Sequence, residues 1–235
     1  MPTAVTERVP VTNQLLAALS RADLRHLSAG LEPVKLSFGE ILHEPGESIE
    51  HLYFPNDSLV SLLTLVDRRH VLEVGLVGHE GMVGMALALG VEETPVRALV
   101  QAGGTAMRMR AAAFRREFSR CAPLQRGVHR YAHALMAQVA QTAACNRFHR
   151  VEARLARWLM MTRERIGSDH FRLTQAFLGH MLGVRRAGVT EAASALRKLK
   201  LIDYSRGYIA VIDTRGLHAA ACSCCEQMKE RKGAN

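Results

Sequence analysis

Two adjacent arginines, Arg185 and Arg186, open a stretch whose polar positions carry the kinds of groups that grip nucleic acid. A guanidinium fork matches guanine O6 and N7 in the major groove, and hydroxyls or further cations match phosphate oxygens. Arg185 or Arg186 could therefore read a base while the other, with Thr190 or Ser194, holds a phosphate. Glu191 could accept a hydrogen bond from cytosine N4 or orient one of the arginines. The same residues would also suit the solvated basic end of an ordinary helical hairpin, so their placement and the surrounding charge decide what they mean.

The segment Leu173 to Leu199, LTQAFLGHMLGVRRAGVTEAASALRKL, predicts how these groups are positioned. Thr174 suits a helix N-cap, Phe177, Leu178 and Met181 recur at helical spacing, and Gly183 suits the left-handed residue that ends a helix. A second helix then starts near Arg185. It has Val189, Ala192, Ala193, Leu196 and Leu199 on its apolar side, and Gly188 lies in its first turns. Leu201 to Asp213, LIDYSRGYIAVID, alternates apolar and polar residues around Ser205-Arg206-Gly207 and predicts a tight β-hairpin. A helix-turn-helix followed at once by a hairpin is a winged helix, with Arg206 at the wing tip within reach of a phosphate or the minor groove.

Charge is divided along the chain in the same sense. Residues 1–145 hold 14 Lys and Arg against 14 Asp and Glu, whereas residues 146–235 hold 17 against 8, so the entire formal charge of +9 falls in the second part. Phosphate neutralisation would need it there. The N-terminus shows no basic region followed by an apolar core, and the longest uncharged apolar run, Gly81 to Val91, is too short to span a bilayer. Five cysteines, an odd number at irregular spacing, do not suit a secreted disulfide framework. A soluble cytoplasmic protein without a membrane partner is expected.

Upstream, Asn13 to Ala29 predicts a helical segment with Leu15, Leu16, Leu19, Leu24 and Leu27 on one face. Short β-type runs follow: Val34 to Phe38, Ile49 to Phe54, Ser58 to Val66, His70 to Leu76, Arg97 to Gln101 and Thr105 to Met109. The turn residues between them suggest an antiparallel sandwich or barrel. After a short helix at Ala111 to Ser119, Pro123 opens a long helix with Leu124, Val128, Tyr131, Leu135 and Val139 down one side, alongside Ala132, Met136 and Ala143. This seam is a candidate dimer interface, since a two-fold operator suits a two-fold protein; the competing reading packs it on its own β domain. A further helix, Arg147 to Ile166, carries Val151, Leu155, Trp158, Leu159 and Met161 towards the winged helix.

The order β domain, long helix, winged helix resembles the Crp/Fnr family of bacterial transcription regulators over nearly the whole chain. The most specific pieces are NRFHRVEARLARWLMMTRERIG, Asn146 to Gly167, and Leu173 to Asp213; FGEILHEPGE, Phe38 to Glu47, looks like the glycine turns of the family's sensor domain. The resemblance implies an α+β fold. An antiparallel β-roll of the cyclic-nucleotide-binding jelly-roll type would occupy residues 1–118, a dimerisation helix 119–145, and a winged helix-turn-helix 146–235. It further implies a non-enzymatic homodimer that binds double-stranded DNA at a palindrome, works with RNA polymerase and answers to a small-molecule effector.

Departures from the family pattern narrow this. Where cyclic-nucleotide binders place a Gly-Glu pair, this chain reads Gly81-Met82-Val83-Gly84, and Arg97 lacks the hydroxyl residue that follows in those proteins. These five positions are the candidate ligand contacts, for an anion other than cAMP. The family's usual base-reading triplet becomes Arg186, Ala187 and Glu191, so its common operator is not expected. No cysteine precedes Cys121, which excludes the N-terminal iron-sulfur arrangement. Cys222, Cys224 and Cys225 could form a soft-metal or redox patch, but their spacing is not C-x-x-C, and neither a metal site nor a cofactor is assigned. Two rivals are a cupin-like metalloenzyme built on Glu40, His43, Glu44 and His51, and a winged-helix module that binds protein.

Overall fold

In the structure, a computed structural model, residues 11–67, 70–205, 207–222 and 224 are described. Two short helices, α1 (Gln14–Ala17) and α2 (Arg21–Ser28), lead into β1 (Leu31–Leu36), β2 (Ile41–His43), β3 (His51–Pro55), β4 (Leu59–Leu65), β5 (Val71–Val77), β6 (Arg97–Ala102) and β7 (Gly104–Arg110). Then come α3 (Ala111–Arg120), α4 (Ala122–Phe148), α5 (Val151–Ile166), β8 (His170–Arg172), α6 (Gln175–Leu182), α7 (Arg186–Lys198), β9 (Ile202–Ser205), β10 (Tyr208–Val211) and α8 (Thr214–Ala220). Among the described residues no helix is long and apolar enough to cross a membrane.

The first seven strands form two antiparallel sheets, ordered β1-β7-β3 and β2-β6-β4-β5. Strand β2 escapes sequence prediction because it has only three residues and its pairing with β6 is broken by an irregularity between Ile41 and His43. The single helix expected over Asn13 to Ala29 is two. Asn13 caps α1 by accepting from the Leu15 and Leu16 amides, and Ser20 caps α2 by accepting from Asp23, so the chain turns between them. Leu16, Leu52, Phe54, Met82, Met109 and Phe114 fill the space between the sheets and their covering helices.

Helix α4 lies against this β-roll. Leu124, Val128 and Tyr131 are buried in the roll's own core and Leu135 packs partly against it, which corrects the expectation of a dimer interface at these four positions and leaves only Val139 of that seam exposed. Periodicity reveals that a helix has an apolar side but not what the side touches. The exposed large apolar side chains of α4 are Met136, 70% exposed, Val139, 36% exposed, and Phe148, 76% exposed at the last residue of the helix; Ala132 lies one turn before Met136 and Ala143 one turn after Val139. The helix ends at Phe148; His149 and Arg150 are extended, and the next helix starts only at Val151, not Arg147.

A second core holds Leu155, Trp158, Leu159, Leu178, Val189, Leu196, Ile209 and Leu217, and it also takes in Leu63 of β4. Helix α5 is thus shared between the two halves of the chain, and its polar side chains are bonded across the boundary. Arg165 Nε donates to Glu80 Oε1 at 2.7 Å and Nη2 to Gln138 Oε1 at 3.1 Å, while Gln138 in turn donates to the Leu76 carbonyl at 3.1 Å. Gln101 donates to the Thr162 hydroxyl at 3.2 Å, and Trp158 Nε1 donates to Glu73 Oε1 at 2.8 Å. Bonds between buried polar groups require specific geometry, so this boundary orients α5 as well as covering it.

Candidate nucleic-acid interface

Local chemistry sets the geometry of α6 and α7. The Thr174 hydroxyl accepts from the Phe177 amide at 3.1 Å and starts α6. Gly183 ends it in the left-handed region at φ 61°, and a Cβ there would also meet Leu72 Cδ1 of β5 at 2.7 Å, so conformation and close approach both call for glycine. Arg185 is the extended N-cap of α7, which buries Val189, Ala192, Ala193 and Leu196. The periodicity of α7 leaves Arg186, Ala187, Thr190, Glu191, Ser194 and Arg197 in solvent, with Arg185 exposed ahead of them.

Two of these groups are held in place. Gln175 Oε1 accepts from Arg186 Nε at 3.2 Å and lies 3.1 Å from the Thr190 hydroxyl, which is also 3.0 Å from the Arg186 carbonyl. With Nε engaged, the terminal Nη atoms of Arg186, the pair that suits a guanine edge, lie outside this bond. Sequence reasoning missed Gln175. It stands 11 residues before Arg186, and its one signal is its place directly after the Thr174 cap, where the crossing of two helices brings it onto α7. Gly188 is half-buried and a Cβ there would meet only Val184, at 3.9 Å, so no close approach explains it. Thr174 is exposed but its hydroxyl already serves the cap.

The wing is a three-stranded antiparallel sheet in the order β8-β10-β9. Strand β8 was not foreseen; at three residues it is too short for alternation to register, and it pairs His170, Phe171 and Arg172 with β10. Ser205 pairs with Tyr208 at the hairpin tip, and Gly207 takes φ 82° in the turn. Arg206, the expected wing-tip cation, lies outside the described residues.

Residues 153–220 match the family described as the Crp-like helix-turn-helix domain. This segment is similar to a Crp-like helix-turn-helix domain. Around it, the whole fold is that of Crp/Fnr regulators. A transcriptional regulator of that family from Eubacterium rectale aligns at 16% identity over 89% of this chain and 98% of its own, with a TM-score of 0.70. FixK2 from Bradyrhizobium japonicum aligns at 12% identity over 82% and 98%, TM-score 0.70. The c-di-GMP-responsive global regulator CLP of Xanthomonas campestris aligns at 16% over 82% and 99%, TM-score 0.67. At these identities the shared property is the fold. No curated protein matches the sequence.

The β-roll attached to the Crp-like domain departs from the anion grip expected at Gly81, Met82, Val83, Gly84 and Arg97. Met82 and Val83 are core side chains, and Gly84 opens a 3-10 turn, Met85–Leu89, at φ 97°. Arg97 Nε donates to Glu44 Oε2 at 2.8 Å, so its charge is already matched. Over Gly81 sits the ring of Tyr131, so near that a Cβ would come within 2.1 Å of it. Gly81→Ala is expected to push the ring off the roll and cost about 1 to 3 kcal/mol, readable by urea unfolding; an unchanged midpoint would mean that the ring yields freely. The cupin-like alternative fares no better. Glu44 is taken by Arg97, His43 Nε2 pairs with the His51 carbonyl at 2.7 Å, and among the described residues these four side chains do not converge as ligands.

Proposed function

We propose that this chain is a transcription regulator that works as a homodimer in the cytoplasm, reads a palindromic operator through α7, and catalyses no reaction. The observation that carries the reading is the exposed face of α7 in a Crp-like domain, with Arg186 and Thr190 both anchored on Gln175. Arg186 is the base reader. Arg185, Thr190 and Ser194 take phosphates, and Glu191 accepts from a base or restrains an arginine. The concentration of basic charge in residues 146–235 supports a phosphate partner over a protein partner.

Self-association uses the side of α4 that the β-roll leaves open. Ala132, Met136, Val139 and Ala143 follow one another at spacings of four, three and four, which is a coiled-coil seam with small residues that let two helices approach closely. Two copies joined there would present two α7 helices to successive major grooves, about 34 to 36 Å apart. An effector would act by changing that separation, and RNA polymerase is the partner of the bound dimer.

Selection of duplexes from a random pool by the purified protein tests the reading. The expected result is a palindromic motif whose affinity falls steeply with salt. Arg186→Ala should then cost about 1 to 3 kcal/mol at a single base pair and relax the preference there. Operator discrimination that survives this substitution would remove Arg186 as a reader. Failure to enrich any duplex, together with salt-insensitive capture of a protein, would favour the protein-binding module.

A further inference from the structure

The end of α4 and the segment that follows α8 bring together four side chains that DNA reading leaves unused. Cys145 and His149 come from the α4 terminus; Cys222 stands 77 residues after Cys145, and Cys224 stands 75 residues after His149. Their ligand atoms, three Sγ and one imidazole nitrogen, all lie within 4.8 Å of one another. Cys145 Sγ is 3.7 Å from Cys222 Sγ, and Cys224 Sγ is 3.9 Å from His149 Nδ1. The three thiols are buried and the imidazole is half-buried. Sequence spacing pointed only to the C-terminal cysteines; Cys225 lies outside the described residues.

These separations discriminate between the things that gathered sulfurs can do. A disulfide needs its sulfurs at about 2.05 Å, and these two are not bonded. An iron-sulfur cluster interposes several irons and bridging sulfides between its protein ligands, which spreads them beyond a set as tight as this one. A single tetrahedral ion is the remaining fit. Metal-sulfur bonds of about 2.3 Å put neighbouring thiolates about 3.8 Å apart, and a metal-nitrogen bond of about 2.0 Å puts the imidazole about 3.5 Å from them. The Cys145–Cys222 edge matches the first value, the Cys224–His149 edge needs a few tenths of an ångström of closure for the second, and the remaining edges lie within 4.8 Å.

We propose that Cys145, His149, Cys222 and Cys224 form a closed tetrahedral site for one soft divalent cation of the zinc class. On binding, the three thiols release their protons to solvent and the filled site carries a net charge of −1. That charge has counter-ions in place. Arg157 lies within electrostatic range of all three cysteines and Arg154 within range of Cys145 and Cys222, and both arginines are buried. Gln141, one turn before Cys145, donates from Nε2 to Cys224 Sγ at 2.8 Å, the sort of outer bond that orients a thiolate ligand.

The site has a mechanical position. It ties the last turn of α4 to the chain leaving the Crp-like domain, and Arg154 donates through Nη2 to the Leu182 carbonyl, the last residue of α6 before the Gly183 turn. A filled site therefore fixes where the helix-turn-helix hangs from α4. Metal occupancy is the quantity it would transmit to α7.

Full-length protein, purified reduced and metal-free, would be titrated with Co²⁺ and then with Zn²⁺. The expected result is one Co²⁺ per chain, with thiolate-to-cobalt charge transfer and the intense visible bands of a tetrahedral centre, displaced by one Zn²⁺. Cys145→Ser, Cys222→Ser and Cys224→Ser should each abolish or recast that spectrum, whereas Cys121→Ser, at a buried cysteine of the β-roll core, should leave it unchanged. His149→Ala alters a half-buried residue and should leave the fold intact, so its spectrum must change even if a cysteine variant fails to fold. Any of four results would overturn the site: no tight cobalt binding, a spectrum insensitive to Cys145→Ser and His149→Ala, stoichiometric iron with acid-labile sulfide, or a native Cys145–Cys222 disulfide.

Discussion

Arg165→Ala is expected to lower the stability of the protein by about 3 to 5 kcal/mol, the range for removing one partner from a buried ion pair. Only 4% of the Arg165 side chain is exposed, and it satisfies three parts of the fold at once. Nε is paired with Glu80 after β5, Nη2 with Gln138 of α4, and Nη1 with the Met161 carbonyl within α5 at 3.1 Å. Truncation removes the positive charge opposite Glu80 where water cannot replace it. Adding Glu80→Gln to the variant should recover part of the loss, because the uncompensated carboxylate goes with it. Urea unfolding of the single and double variants measures both effects. A loss below about 1 kcal/mol would place this pair with exposed ones, which contribute that little.

The second large effect depends on pH. Glu73 of β5 is buried, and desolvation pushes its carboxyl up to about 7 even though Ser61, the Trp158 indole that donates to it, Arg165 and Arg157 all act in the opposite direction. Its Oε2 has no hydrogen-bond partner. A carboxyl raised in the folded state holds a proton that the unfolded chain has already given up, so the folded protein binds more protons between the two pKa values. Stability from this group is therefore complete below the unfolded value of 4.5 and is lost as pH rises through about 7. The loss is on the order of 3 kcal/mol. Glu73→Gln keeps an acceptor for Trp158 and cannot ionise. The difference in unfolding free energy between variant and wild type should swing towards the variant between about pH 5 and pH 8. A difference that stays flat over that interval would show that Glu73 is solvated in the folded protein.

The helix-turn-helix was legible in the sequence because its signals are local. Thr174, Gly183 and the 3.6-residue spacing of Val189, Ala192, Ala193 and Leu196 lie within one short segment, and each has a single structural meaning. The strands of the β-roll were found where alternation ran for five or more residues. Strands β2 and β8, three residues each, were not. What failed was partner choice. The seam of Leu124, Val128 and Tyr131 was correctly seen as apolar, but whether it faces another copy or its own sheet depends on tertiary distance, which periodicity does not encode. Long-range assembly hid Gln175 behind Arg186, and it hid Cys145 and His149 from Cys222 and Cys224. Glycine carried the opposite lesson at position 81. Family comparison drew attention to it as a ligand contact, whereas the space over it belongs to Tyr131.

The bonds from Gln175 to Arg186 and Thr190 bear on how long a complex lasts. A free arginine on a surface samples many rotamers, and immobilising such a side chain on binding costs about 0.5 to 1.5 kcal/mol of conformational entropy. If Arg186 reads a base as proposed, much of that ordering precedes the encounter with DNA, because Nε is already held. The gain appears mainly in a slower dissociation rate, since association is governed by long-range charge and diffusion. A residue that touches no base can in this way set the residence time on an operator.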